Sequence, residues 1–196
     1  MKTIKKLPVI KGRISGGHRL MMSDKMKEAI NYQINAELYS AYMYMSMSAW
    51  FDSMALPGFA NWMHVQAKEE TTHAMRFYNH MNERSAAIKL SAIDGPPLEW
   101  KSPLDAFEAV YAHELKVTSL INDLVDLAIK DKDHATNAFL QWFVNEQVEE
   151  ESSAIQIVDK LKLIGDDKSG LFMVDQELGA RIFTPPADMP GYVSAV

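Results

Sequence analysis

Residues 58–86 read GFANWMHVQAKEETTHAMRFYNHMNERSA, a stretch that places an acid and an imidazole on an otherwise apolar helical stripe. Apolar residues recur there at spacings of three and four, which is the period of an amphipathic α-helix. Glu70 and His73 lie on the same stripe, one helical turn apart, so both side chains point to the same side. A buried carboxylate destabilises a fold unless it is paired or bound to a metal ion. The stretch therefore predicts a polar site inside a helical core.

Three further long segments have the same period, and a shorter one follows them. Ser23 and Ser102 are typical N-cap residues, and Gly165 is typical of a position just beyond a helix end. We predict helices over residues 23–51, 58–86, 102–130, 134–163 and 171–178.

The links between these helices predict the topology. The first two helices and the last two long helices are joined by short links, so each pair should form an antiparallel hairpin. The link between the second and third helices contains Asp94-Gly95-Pro96-Pro97, which cannot be helical. At roughly 3.3 Å per extended residue, this link can travel the length of a ~40 Å helix. The chain should therefore be all-α, a four-helix bundle with one long crossover and a short fifth helix.

Each long helix carries an acid on its apolar stripe, namely Glu37, Glu70, Glu114 and Glu150. At 1.5 Å per residue, all four lie roughly 18–24 Å from their helix ends, and so near mid-height. One such Glu is more often an ion-pair partner than a ligand, but no Lys or Arg lies on the stripes. Protons or polyvalent cations must then offset the mutual repulsion. Together with His73, the acids predict a dinuclear metal site in the bundle core.

The fourth helix also contains an acidic run, NEQVEEE at residues 145–151. Like charges at these spacings destabilise a helix unless something offsets them. We interpret Glu146 and Glu149, with Glu69 from the second helix, as a third metal position. A solvated acidic face is the alternative, and it is equally good for Glu151. The remaining histidines in the helices are expected on the surface or at helix ends: His64, His80, His113 and His134.

Composition excludes several classes of protein. The chain has no Cys, so disulfides, zinc ribbons and iron–sulfur clusters are ruled out. No apolar run approaches the ~20 residues that a membrane span needs. The net charge of −6 repels nucleic acid and attracts cations. We therefore expect a cytoplasmic protein with no nucleic-acid or membrane partner.

The first 20 residues differ from the rest, because they hold six Lys or Arg and no acid. They lack the apolar region of a secretory signal. We expect residues 1–21 to be a flexible basic extension, or to precede a functional start at Met21 or Met22; a partner-binding or targeting arm is the alternative. Residues 22–178 should form the di-iron domain, and residues 179–196 an irregular C-terminal tail.

Four motifs contain the candidate ligands: NAELYS at residues 35–40, EETTH at 69–73, YAHE at 111–114 and LQWFVNEQVEEE at 140–151. With their surroundings, from about residue 22 to 178, they resemble the non-haem ferritins of bacteria and archaea. This resemblance implies a ferritin-like bundle that assembles into a hollow homo-oligomeric shell, commonly of twenty-four subunits. It also implies ferroxidase activity, with Fe(II) and O2 as substrates and Fe(III) mineral stored inside.

The resemblance further implies roles for the acids of the layer. Glu37, Glu70 and His73 would hold the first iron. Glu70 would bridge to a second iron held by Glu114 and Glu150.

Other residues match the family's accessory positions. Gln147 would lie close to the centre, and Tyr44 matches the tyrosine beside it. Glu69, Glu146 and Glu149 match the third iron site, together with the fourth-helix acid that holds the second iron.

Two departures separate near relatives. Bacterioferritins carry a second Glu-x-x-His on the fourth helix, where this chain has Gln147-x-x-Glu150, so no haem is expected. Rubrerythrins add a cysteine-ligated iron domain, which a chain without Cys cannot form. Two alternatives to iron storage remain open, a di-iron peroxide scavenger without storage and a structural metal-binding assembly protein.

Overall fold

The computed structural model describes residues 22–186 and 189, and these form five α-helices with no strand among them. The helices are α1 (Asp24–Ser53), α2 (Pro57–Glu83), α3 (Pro103–Lys130), α4 (His134–Ile164) and α5 (Lys168–Gly179). This architecture confirms the predicted all-α bundle with a short fifth helix.

Two helix ends differ from the prediction for local reasons. Helix α2 ends at Glu83 rather than near residue 86, because Ser85 adopts a left-handed conformation with φ of 55°. Helix α5 begins at Lys168 rather than near residue 171. The Asp167 side chain accepts hydrogen bonds from the backbone N–H groups of Ser169 and Gly170, at 3.0 and 3.1 Å, and so caps an earlier start.

The long helices pair as the link lengths predict. Ser48, late in α1, donates a hydrogen bond to the carbonyl of Ala60, early in α2, at 2.9 Å, so these helices are antiparallel. The two hairpins meet where Arg84, just after α2, pairs with Asp133, just before α4, at 2.9 Å.

The crossover from α2 to α3 runs along the outside of α1. Asn31, near the start of α1, donates to the carbonyl of Ala87 at 3.1 Å. Ser46, near the other end, donates to the carbonyl of Pro97 at 2.6 Å. These bonds satisfy carbonyls of a segment that has no regular secondary structure of its own.

The buried apolar side chains form two clusters, one toward each end of the bundle. One contains Phe51, Phe59, Phe107 and Val158, and the other contains Ile30, Phe77, Leu124 and Leu140. Along every long helix, the predicted acid lies between residues of one cluster and residues of the other. The acids therefore occupy one polar layer near mid-height.

Helix α5 caps the start of α2, which has no side-chain cap of its own. The buried Asp175 carboxylate of α5 accepts hydrogen bonds from the backbone N–H groups of Gly58 and Phe59, at 2.7 and 3.1 Å. A negative charge at a helix N-terminus is favourable because the free N–H groups there carry partial positive charge.

Both ends of the chain reach past the described residues. The predicted basic extension, residues 1–21, lies outside them. In the predicted tail, residues 181–186 have no regular secondary structure, while 187, 188 and 190–196 lie outside the described part. Within that part, no helix combines the length and the apolar character needed to span a bilayer.

Replacing Gly58 with Ala should separate α5 from α2. A Cβ at Gly58 would lie 1.6 Å from the backbone oxygen of Asp175, so one helix must move. We expect Gly58→Ala to lower the free energy of unfolding by about 2 kcal/mol or more, measured by urea denaturation. Gly179→Ala is the matched control, because its Cβ would meet only the Cα of Gly58, at 3.5 Å. Equal losses in both variants would contradict the prediction.

Candidate metal centre

The polar layer collects one side chain or more from each long helix. Helix α1 supplies Glu37, α2 supplies Glu70 and His73, α3 supplies Glu114, and α4 supplies Glu150. All five side chains are buried, with at most 6% of each residue exposed. The structure thus brings the five predicted ligands of the dinuclear site into the core.

Three of these residues form a compact group. Ligand atoms of Glu37, Glu70 and His73 all lie within 4.8 Å of one another. Nδ1 of His73 is 3.3 Å from Oε2 of Glu70, as expected for side chains one turn apart on a helix. Two carboxylates and an imidazole in this arrangement suit a divalent iron, zinc or manganese ion.

Two carboxylate oxygens of this group accept no hydrogen bond from the described residues, because even Nδ1 of His73, 3.3 Å from one of them, lies outside hydrogen-bond geometry. They are Oε2 of Glu37 and Oε2 of Glu70, both fully buried. An unpaired buried oxygen is destabilising, and native proteins rarely retain one without a role. A cation between these residues would supply the missing partner, so the residues present fit a bound metal.

The other half of the layer is ordered by hydrogen bonds. Tyr44 donates through its hydroxyl to Oε1 of Glu114. Gln147 donates through Nε2 to Oε2 of the same carboxylate, at 3.3 Å. Tyr44 is fully buried and Gln147 almost so, as their predicted positions beside the centre require. Glu114 and Glu150 nevertheless lie outside the compact three-residue group.

Two glutamines complete the layer, and the sequence analysis missed both. Nε2 of Gln33 donates to Oε1 of Glu37 at 2.9 Å, and Nε2 of Gln66 donates to Oε2 of Glu150 at 2.8 Å. Both are fully buried. The available signal was spacing, since each glutamine precedes a layer acid of its own helix by four residues.

Burial dominates the protonation of the carboxyl groups. It raises the pKa of Glu37 and of Glu70 well above the usual range, and the negative charges of neighbouring carboxylates raise both pKa values further. Burial and the nearby Glu150 raise the pKa of Glu114 to about 8, against the opposing hydrogen bonds from Tyr44 and Gln147. Without a cation, the raised pKa values of Glu37, Glu70 and Glu114 favour their protonated forms at neutral pH, and a cation that binds them must displace those protons.

The residues of the predicted third metal position do not form a compact, buried group. Glu69 and Glu146 are half-buried and Glu149 is exposed, and none belongs to the compact group. Glu69 instead pairs with Arg181, with 2.6 Å between Oε2 and Nη2. Burial raises the pKa of Glu69 to about 7, although the Arg181 charge lowers it.

His80 and His113 are less exposed than surface positions, although His80 does lie at a helix end, in the last turn of α2. His80 is buried, its Nε2 lies 3.1 Å from Oγ1 of Thr136, and its ring stacks on Phe139. Burial lowers its pKa to about 4, as does the charge of Arg84.

His113 is half-buried, with Nε2 2.7 Å from Oγ of Ser40. The sequence pattern missed them because both contacts join residues that are far apart in the chain.

A sequence model of the Ferritin-like domain family matches residues 27–164, which is more than half of the chain. The chain belongs to the ferritin family. A bacterial non-heme ferritin from Bacteroides fragilis strain 638R is 45% identical over 161 residues, covering 82% of this chain and 100% of that protein. A bacterial non-heme ferritin from Staphylococcus aureus strain USA300 is 41% identical, covering 83% of this chain and 98% of that one.

Solved ferritin structures have the same fold as this ferritin. A closed form of the Archaeoglobus fulgidus ferritin, engineered by site-directed mutagenesis, superposes with a TM-score of 0.82 at 56% identity. The superposition covers 83% of this chain and 99% of that one. An open pore ferritin from the same archaeon gives the same TM-score and identity over 82% and 98%. Family membership supports iron storage as the general role of this ferritin, and assembly with further copies of the chain.

The metal-free ferritin should lose stability as pH rises. A carboxyl group whose pKa is higher in the folded state contributes fully to stability at pH values below its unfolded pKa, which is 4.5 for Glu114. This contribution to stability is lost as pH rises through the folded pKa of about 8. Glu114→Gln cannot ionise, so we expect it to exceed the parent in unfolding free energy by about 2 kcal/mol at pH 8 and by far less at pH 5. Urea denaturation of metal-free protein at matched concentration measures this difference. The exposed Glu108→Gln is the control, and a gain independent of pH would refute ionisation of Glu114 as the cause.

Proposed function

We propose that this ferritin stores and detoxifies iron by oxidising Fe(II) with O2 at the polar layer, and that Fe(III) then mineralises inside a shell of identical subunits. The observation that carries the proposal is the compact buried group of Glu37, Glu70 and His73 with its unpaired carboxylate oxygens. Oxygen and nitrogen ligands suit Fe(II), and no soft thiolate is available in a chain without Cys.

Two Fe(II) ions would bind as substrate in adjacent positions. Glu37 and His73 hold the first, Glu114 and Glu150 hold the second, and Glu70 bridges them. Carboxylates stabilise Fe(III) more than Fe(II), because their negative charge interacts more strongly with the higher cation charge. Binding at this layer therefore makes loss of an electron from each ion more favourable.

The electrons and protons of the step balance without a further reagent. Each Fe(II) gives up one electron, and one O2 that takes two electrons and two protons becomes hydrogen peroxide. Glu37, Glu70 and Glu114 release protons when the cations displace them, because their raised pKa values favour the protonated form beforehand. Substrate binding thus frees protons beside the place where O2 is reduced.

Tyr44 and Gln147 have positioning roles in this scheme. Tyr44 donates to Oε1 of Glu114 and Gln147 donates to Oε2, so the two residues orient a ligand of the second iron. Gln66 does the same for Glu150. Ligands held in a fixed orientation lower the entropic cost of reaching the geometry in which both ions face O2.

We assign Glu69, Glu146 and Glu149 to a third cation position, through which Fe(III) leaves toward the mineral. Glu69 lies next to Glu70 in the sequence, and its pKa responds to the charges of Glu150 and Glu146. An exit of this kind lets the dinuclear positions accept new Fe(II).

Residues 22–178 would carry this function in the cytoplasm. The ligands, both hairpins and nearly all of α5 lie within them. Residues 1–21 and the end of the tail are assigned no part in the oxidation step.

Removing a ligand of the compact group should abolish rapid oxidation. We expect Glu70→Gln and His73→Ala to lower the initial rate of Fe(II) oxidation by about a hundredfold or more, since each removes a bond to iron. Near-ultraviolet absorbance of the Fe(III) product, followed after aerobic addition of Fe(II), measures the rate. Glu108→Gln removes an exposed carboxylate and should match the parent. Parental rates in either ligand variant would exclude this site and favour a structural metal role.

Storage further requires a closed shell. We expect native mass spectrometry and size-exclusion chromatography to give one large species, near twenty-four times the subunit mass of 22.2 kDa. Small species that still oxidise Fe(II) rapidly would instead identify a di-iron scavenger without storage.

A further inference from the structure

The segment after α5 folds back onto α2 and is held there by its backbone. Nδ2 of Asn61 donates to the carbonyl of Arg181 at 2.9 Å, and the carbonyls of Leu178 and Gly179 lie 3.3 and 3.4 Å from the same atom. One amide on α2 thus fixes the point at which the chain leaves α5. The side chain of Arg181 starts from this point.

Arg181 reaches along α2 to the predicted third cation position. Its guanidinium carbon lies 4.6 Å from the ring centroid of Trp62. Its Nη2 donates to Oε2 of Glu69 at 2.6 Å. About a quarter of each of these charged side chains is exposed, 25% for Arg181 and 23% for Glu69. Trp62 and Glu69 are seven residues apart, two turns of the same helix, so the arginine lies flat along one face of α2.

A guanidinium in this place competes directly with a cation. A metal ion would bind a Glu69 oxygen at roughly 2.0–2.6 Å, where it would lie only a few ångströms from the positive charge of Arg181. Like charges so close repel in a site that is only partly solvated. Arg181 and a metal ion therefore compete for Glu69 in the observed geometry.

The arginine is also incompletely paired, which favours its departure. Its Nη1 is buried and has no hydrogen-bond acceptor among the described residues. A buried donor without an acceptor destabilises the conformation that holds it. Movement of the side chain into water would relieve that cost while it uncovers Glu69.

We propose that Arg181 is an internal counter-ion of the third cation position, which holds Glu69 until a metal ion displaces it. This inference rests on the proposed third position and adds a residue that sets its affinity. The guanidinium weakens binding at Glu69 relative to the two dinuclear positions, so Fe(II) fills the oxidation site first. A weak third position also releases its ion readily, as an exit requires.

Anaerobic calorimetric titration of the assembled protein with Fe(II) tests the proposal. Arg181→Gln removes the competing charge but keeps a polar side chain, and it should tighten the weakest class of sites about tenfold, the size expected for one charge-assisted hydrogen bond. The sites that bind Fe(II) more tightly should keep their affinities. Arg181→Lys keeps the positive charge and should stay close to the parent.

Two further variants make the result specific. Arg84→Gln removes another part-buried arginine ion pair, with Asp133 at the bundle end, and should leave every class unchanged. Adding Glu69→Gln to Arg181→Gln should cancel the gain in affinity, because the carboxylate that pairs with Arg181 is then absent. An unchanged or weaker affinity in Arg181→Gln would overturn the proposal, and so would a gain that survives Glu69→Gln.

The same titration separates this inference from the proposed function. If the proposed dinuclear site is wrong, the parent protein will show no class of tight Fe(II)-binding sites. If the parent binds two Fe(II) tightly and Arg181→Gln adds no affinity through Glu69, only the role of Arg181 fails. If Arg181→Gln does not assemble, the single variant Glu69→Gln decides, since an unaltered weak class in it refutes a metal position at Glu69.

Discussion

Burial of ionisable groups that lack enough counter-charge is the constraint on which this subunit depends. Four helices each bring a carboxyl group to one level, and hydrogen bonds from Tyr44, Gln33, Gln66 and Gln147 offset only part of the cost. The remaining oxygens of Glu37 and Glu70 have no donor among the described residues. Protons or cations must therefore offset the remaining cost, and the proposed iron site would meet this requirement.

Helical periodicity was enough to predict the layer, because it depends on positions within single helices. Glu70 and His73 follow each other by one turn, and the acids of the other helices lie at matching distances from their ends. Capping signals at Ser23, Ser102 and Gly165 gave three of the helix ends for the same reason. The fold class followed from these helices and from the lengths of their links.

Contacts between distant residues could not be read from the pattern. Asp175 caps α2 from a helix more than a hundred residues away, and Arg181 pairs with Glu69 across a similar separation. Ser85 ends α2 in a left-handed conformation, and the sequence does not signal this because the usual residue for that conformation is glycine. His80 became buried because Thr136 and Phe139 pack against it from α4. Each of these depends on a neighbour that only the folded chain brings close.

The two apolar clusters have a mechanical consequence. Each is a small core of its own, and the level between them is joined by polar groups that gain little net stability from one another. The level between the two clusters is thus the least stabilised part of the subunit, and it is where we propose that Fe(II) binds. Under the proposed function, iron ions bound at that level would connect the four helices, so iron binding would raise the stability of the subunit.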